Sequence, residues 1–265
     1  DMDAIMALCN ARGIPVIEDA AHSLGTTWHG KNIGTIGKIG CFSFQSYKLV
    51  NGGEGGIMVS DDADLIARAV IMSGAYEHNW KKHKSRAGDN STELAEAFAR
   101  HQNKLPLYNL RMSNLSAAII RPQLPEVARR VRDGRANHDY VAALLNQSPW
   151  INVPEKLAPE ERAPDSIQFN LEGMTLDEMR AFADAAKVDG ISVQVFGLST
   201  DNARAYWNWQ FMPEMPDLPR TRAMLESACD VRLPARLKQN DLDYIASALV
   251  RAAESVKGEV RAYGT

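Results

Sequence analysis

Four side chains in the first fifty residues have types and spacing suited to joint chemistry: Asp19, His22, Ser43 and Lys48. A lysine amine with its ordinary pKa of about 10.4 is a poor nucleophile until its surroundings lower that value or an imine forms. Pyridoxal phosphate (PLP) offers the imine partner and sets further demands. An acid must sit beside its pyridine nitrogen so that the ring stays an electron sink, and donors must meet its ring oxygen and phosphate. Asp19 fits the first demand and Lys48 the imine. His22, three residues after Asp19, can hydrogen-bond or flank the ring oxygen, and Ser43 can donate to phosphate. The glycines of NGGEGG, residues 51–56, let backbone approach a ligand closely.

Short strands must position these groups. The β-branched run Ile14 to Ile17, bounded by Gly13, predicts a buried strand that delivers Glu18 and Asp19 at its C-terminal end. A second apolar run, Ile39 to Phe44, leads into QSYK, and a third, Ile57 to Ser60, follows the glycine cluster. Asp19 and Lys48 then stand just past strand ends, where open α/β sheets bind ligands. Ahead of them, Asp1 to Asn10 places Ile5, Leu8 and Cys9 on one helical face. That helix and the strand after it read as the second half of a βαβ crossover whose first strand is missing. The chain also starts at Asp1, inside an apparent helix and without an initiator Met, so a fragment is expected.

Further along, Asp61 or Asp62 caps a helix over Ala63 to Met72, with Leu65, Ile66, Ala69 and Val70 on its buried side. Ser73 to Lys104 turns polar and basic, and reads as a long mobile excursion kept for substrate access or as a solvated loop. A helix starts at Ser113 or Asn114 and is interrupted by Pro122 and Pro125, and a longer one runs from Glu126 to Leu145. Four prolines between Ser148 and Pro164 mark a shift in composition. SIQFNLEG then alternates like a strand, Thr175 caps a helix over Leu176 to Lys187, GISVQVF reads as another strand, and a last helix spans Asn240 to Val256. The domain boundary is expected on the helix between Glu126 and Leu145, separating 1–136 from a small α+β unit, 137–265.

At 265 residues, 45% hydrophobic, the chain reads as a globular protein of one or two domains. A net charge of −3, with no long basic stripe, argues against a dominant nucleic-acid surface. No run approaches the roughly eighteen apolar residues of a membrane helix, and no secretion leader is visible. Cys9, Cys41 and Cys229 are odd in number and far apart, which excludes a disulfide framework and a CxxC metal site. A reducing cytoplasm is the expected compartment.

The run VIEDAAHSLGTTWHGKNIGTIGKIGCFSFQSYKLVNGGEGG resembles the signature of the DegT/DnrJ/EryC1/StrS family, PLP-dependent aminotransferases of fold type I that act on keto sugars and keto-cyclitols. The pattern of an Asp, an amide or His three residues on, SF, a Lys and GEGG is met by Asp19, His22, Ser43-Phe44, Lys48 and Gly53 to Gly56. NLRMSNLSAAI resembles the family's next segment, and RLPARLKQNDLDYIASAL its C-terminal strand and helix. The resemblance implies an α/β fold: part of a large PLP-binding domain with a mostly parallel sheet, then a small α+β domain. It implies that Asp19 pairs with the pyridine nitrogen, His22 sits at the 3-hydroxyl side, Ser43 binds phosphate and Lys48 holds PLP covalently. Dehydratase relatives carry His in place of that lysine. Asn109 is then expected to reach the phosphate of a neighbouring subunit's cofactor, in a homodimer with shared active sites, and Arg111 to touch substrate. The implied reaction moves an amino group from glutamate or glutamine to a keto sugar, nucleotide-linked in many members, or a keto-cyclitol.

Lys38 stands where the family usually has Asp, and Leu110 where it has Tyr. The family's N-terminal third, which supplies a phosphate-cradling helix end and the ring stacked on PLP, is expected to be missing. Other readings compete. Glu18, Asp19 and His22 could form a metal cluster, although no second His or Cys lies at ligand spacing. Ser43 could be a strand hydroxyl satisfied by backbone. His29, His78, His83 and His101 read as surface residues, and Trp207 and Trp209 as packing. NGGEGG lacks the GK[ST] of a nucleotide-binding loop, and no GxGxxG opens a helix. The alternative function is a regulatory or truncated, inactive member of the same family.

Overall fold

The computed structural model describes residues 1–74, 91–200 and 202–262. In chain order its strands are β1 Ile17–Asp19, β2 Thr27–Trp28, β3 Lys31–Asn32, β4 Ile39–Ser43, β5 Gly56–Val59, β6 Ile151–Asn152, β7 Glu160–Glu161, β8 Ser166–Leu171, β9 Gln194–Val195 and β10 Ala228–Arg232. Its α-helices are α1 Met2–Ala11, α2 Ala63–Met72, α3 Ser91–His101, α4 Asn114–Ile120, α5 Val127–Leu145, α6 Leu176–Val188, α7 Pro219–Ser227 and α8 Gln239–Ala262. They divide into two compact units, Asp1–Ala128 with Leu157–Ala163, and Arg129–Lys156 with Pro164–Thr265.

The first unit holds a three-stranded sheet in the order β1-β4-β5. β1 runs parallel to β4, with Asp19 opposite Cys41, and β5 runs antiparallel to β4, with Gly56 opposite Ser43. The expected strand from Ile14 begins instead at Ile17 and includes both acids. Burial alternates along it: Ile17 is 64% exposed, whereas Glu18, on the other face, is buried. Helix α1 likewise buries no residue; Asp1 caps it by accepting from the Ala4 N–H at 3.0 Å.

Asp62 caps α2, accepting from the Leu65 N–H at 3.0 Å. The helix buries Ala67 and Ile71 most deeply, rather than Leu65, Ile66 and Ala69, because α3 packs there with Ala97 and Phe98. Helix α3 corrects the reading of Ser73 to Lys104 as one irregular excursion; residues 75–90 of that stretch, with His78 and His83, lie outside the described residues. Ser113 caps α4. At Pro122 and Pro125 the backbone passes into 3-10 form, Arg121–Glu126, and returns to α-helix at Val127, so the prolines change the helix type without a loop. A small sheet, β3-β2-β7, turns at His29 and Gly30, whose φ angles of +47° and +76° suit a tight hairpin.

The second unit is an antiparallel sheet, β6-β8-β10-β9, whose core includes Ile167, Phe169 and Val231 from the sheet, Phe182 from α6 and Leu249 from α8. Thr175 and Glu178 form a full capping box on α6. The strand expected over GISVQVF is only Gln194–Val195, since Phe196–Leu198 closes into a 3-10 turn.

Candidate active site

Side chains alternate across a strand, and parallel partners share a face. The pairing of Asp19 with Cys41 therefore puts Asp19, Cys41 and Ser43 on one face of the sheet, and Glu18, Gly40 and Phe42 on the other. The burial agrees. Asp19 is exposed and its carboxylate accepts from the Ala21 N–H at 3.1 Å, whereas Glu18 is only 6% exposed. Ser43, at the end of β4, accepts from the Gln45 N–H at 3.3 Å.

Lys48 lies in the loop after β4, and the loop is pinned at both ends. Phe44 and Val50 bury against Ile120, with Leu24 and Met112 packed on the same cluster. The Phe44 N–H donates to Gly55 and the Gly52 N–H to Phe44 at 2.9 Å, which closes the loop on itself. Gln123 holds its far side by donating to the Asn51 carbonyl at 2.6 Å. Gly52 packs closely on α4, where a Cβ would meet Ile120 Cδ1 at 2.9 Å and the Ser116 carbonyl at 3.0 Å. Leu24, in that same cluster, carries the His22 turn, and His22 Nε2 stands 2.6 Å from Lys48 Nζ. One of those nitrogens must supply a lone pair, so the pair cannot be fully protonated while the contact lasts.

Asn109 and Arg111 lie in the extended stretch before α4, both exposed. The stretch is fastened to the end of α2: the Tyr108 N–H donates to Met72 at 2.8 Å and the Leu110 N–H to Ser73 at 3.0 Å. Gly74 fits tightly beneath it, where a Cβ would come within 2.1 Å of the Tyr108 carbonyl. The Asn109 side chain makes no hydrogen bond among the described residues.

As a donor set, Asp19, Ser43, His22 and Lys48 fit the demands of PLP: an anion and a hydroxyl on one sheet face, and an amine beside an imidazole. The competing metal cluster is corrected by strand geometry, since Glu18 points to the face opposite Asp19. No group of three His, Cys, Asp or Glu among the described residues could hold a metal. No described helix is long and apolar enough to cross a membrane. His29 Nε2 contacts Asp3 at 3.1 Å and His101 Nε2 contacts Asp64 at 2.7 Å. From sequence Glu18 is named only as a strand-end acid and a candidate metal ligand; period-two alternation would have put it on the face opposite Asp19, whereas nothing local marks Gln123 as the holder of Asn51.

Known proteins match this chain over most of its length. EpsN of Bacillus subtilis (strain 168), provisionally described as a pyridoxal phosphate-dependent aminotransferase, is 35% identical over 134 residues, 51% of this chain and 30% of its own. The 3-amino-5-hydroxybenzoate synthase of Amycolatopsis mediterranei (strain S699) is 26% identical over 210 residues, 78% of this chain and 50% of its own. The solved aminotransferase TlmJ of Streptoalloteichus hindustanus superimposes with a TM-score of 0.73 at 18% identity, over 96% of this chain and 62% of that one. That likeness establishes the fold, an α/β architecture corresponding to part of a fold type I aminotransferase. The chain spans between about a third and two thirds of these relatives. A sequence model covering residues 1–250 matches throughout, and the chain belongs to the DegT/DnrJ/EryC1/StrS aminotransferase family.

Proposed function

We propose that the whole protein to which this sequence belongs is a PLP-dependent aminotransferase. It takes an amino group from glutamate or glutamine and passes it to a keto sugar, nucleotide-linked, or to a keto-cyclitol. The observation that carries the reading is Lys48 Nζ at 2.6 Å from His22, on a pinned loop whose strand shares the Asp19 face. Bound PLP supplies an electron sink for the carbon that loses its proton. Asp19 keeps the pyridine nitrogen protonated by placing a negative charge beside it. Ser43 donates its hydroxyl to the phosphate, leaving its own Oγ to accept from Gln45. Lys48 would hold the cofactor through its amine, and the same amine would serve to move a proton at the donor's α-carbon. His22 takes or returns the proton at Lys48 Nζ, since the two nitrogens already share a contact that needs one lone pair. Arg111 meets the acidic part of a substrate, and Asn109 reaches the phosphate held by a second subunit.

The test is a half-reaction. Full-length protein loaded with PLP and mixed with glutamate or glutamine should lose its visible band, release the corresponding keto acid, and regain the band with a keto sugar. A PLP band that no amino donor bleaches would favour the regulatory, non-catalytic reading instead.

A further inference from the structure

We propose that Glu18 is the positioning residue for Asp19; the role rests on the function proposed above. Glu18 is 6% exposed, and both of its oxygens are taken by backbone donors. Its Oε2 accepts from the Gly34 N–H at 2.6 Å, and its Oε1 from Ile36 at 2.7 Å and Gly37 at 2.5 Å. A buried carboxylate is retained only where such bonds offset its desolvation, and charge-assisted bonds are the strong ones. The 33–38 loop that supplies the donors lies flat on the rear face of the sheet. A Cβ on Gly34 would meet the Phe42 ring at 2.3 Å, one on Gly40 the Gly34 carbonyl at 1.9 Å, and one on Gly37 the Val16 carbonyl at 2.7 Å. The loop also ties into the chain ahead of β1, where the Lys38 N–H donates to Val16 at 2.8 Å.

Among the described residues β1 is three residues long and pairs with β4. Moving Glu18 would strand three N–H groups, so the backbone at residue 18 is fixed from behind. The next side chain, Asp19, then leaves the opposite face at a set position and angle. Among the described residues, the Asp19 carboxylate accepts from the Ala21 N–H at 3.1 Å. Two neighbouring acids thus divide the labour: one is buried to hold the strand, and the other is presented to the cofactor.

The experiment uses the full-length protein and its Glu18→Gln variant. The amide keeps the shape but turns an NH2 toward one of the three donors. In the cofactor-free proteins, amide hydrogen exchange at Gly34, Ile36 and Gly37 should quicken at least about tenfold in the variant. With ring-15N-labelled PLP, the variant should bind about tenfold more weakly, and its ring nitrogen signal should move toward unprotonated pyridine. A purely structural role would not move that signal. Faster exchange with an unchanged nitrogen signal and unchanged affinity would overturn the positioning role. Unchanged exchange would overturn the clamp itself. No PLP signal from the parent protein would overturn the function and this role together, which separates the two failures. If Glu18→Gln does not fold, Glu18→Asp, charged but one methylene shorter, is read in the same way.

Discussion

Glu18 and Asp19 are chemically near-identical neighbours with opposite environments, and the difference comes from the pleat alone. In sequence they read as a pair of acids at a strand end, close enough to His22 to raise a metal cluster. Alternation separates them onto two faces, and the glycines of the 33–38 loop make the rear face habitable for a carboxylate. Asp19, His22, Ser43 and Lys48 were legible because each belongs to a short motif. Glu18 was not, because its partners are backbone amides sixteen to nineteen residues away. Asp19→Asn should keep the fold and melting temperature, since the side chain is exposed and its one described bond, to Ala21, is local. It should lower turnover on the order of a hundredfold, because an uncharged amide no longer holds the ring nitrogen protonated. Steady-state kinetics on the purified variant measures this, and near-parental turnover would contradict the role given to Asp19.

Helix caps were the most readable elements, since they depend on contacts within one turn: Asp62, Ser113 and Thr175 all cap where their sequence positions place them. Helix α3 was hidden because its apolar face, Leu94, Ala97 and Phe98, gains meaning only against Ala67 and Ile71 of α2. Lys38, unusual for the family, has a local partner as well: its amine pairs with Asp62 at 2.6 Å and holds that carboxyl below its usual range. The cap of α6 makes a pH-dependent prediction. Glu178 accepts from the Thr175 N–H at 2.7 Å and from Lys257 Nζ at 2.8 Å, and Lys257 is the larger cause of a carboxyl pKa below the ordinary 4.5. A lowered folded pKa stabilises above the unfolded value and loses that contribution as pH falls through the folded one. Glu178→Gln should therefore cost about 1 kcal/mol at pH 7, with the gap to the parent closing below about pH 4.5. Urea unfolding across that range reads the gap, and a gap that persists unchanged at pH 3 would contradict the ion pair's contribution.

At the scale of the molecule, the stretch around Asn109 is the part that a single chain leaves without a use. Leu107, Leu110, Leu115 and Ile119 are all exposed near it in sequence, and the Asn109 amide has no partner among the described residues. The proposed dimer gives both a purpose, with each chain completing its partner's phosphate site. Mixing a Lys48→Ala chain with an Asn109→Ala chain should then restore activity, because one site per mixed dimer keeps both residues intact. A mixture no more active than the two variants measured apart would rule out the shared site. The proposed role of Lys48 as the residue that holds PLP has a direct chemical test. Full-length protein incubated with PLP, reduced with borohydride and digested should carry the phosphopyridoxyl mass on the peptide containing Lys48 and lose it in Lys48→Ala. Label recovered on any other lysine, or none on Lys48, would contradict it.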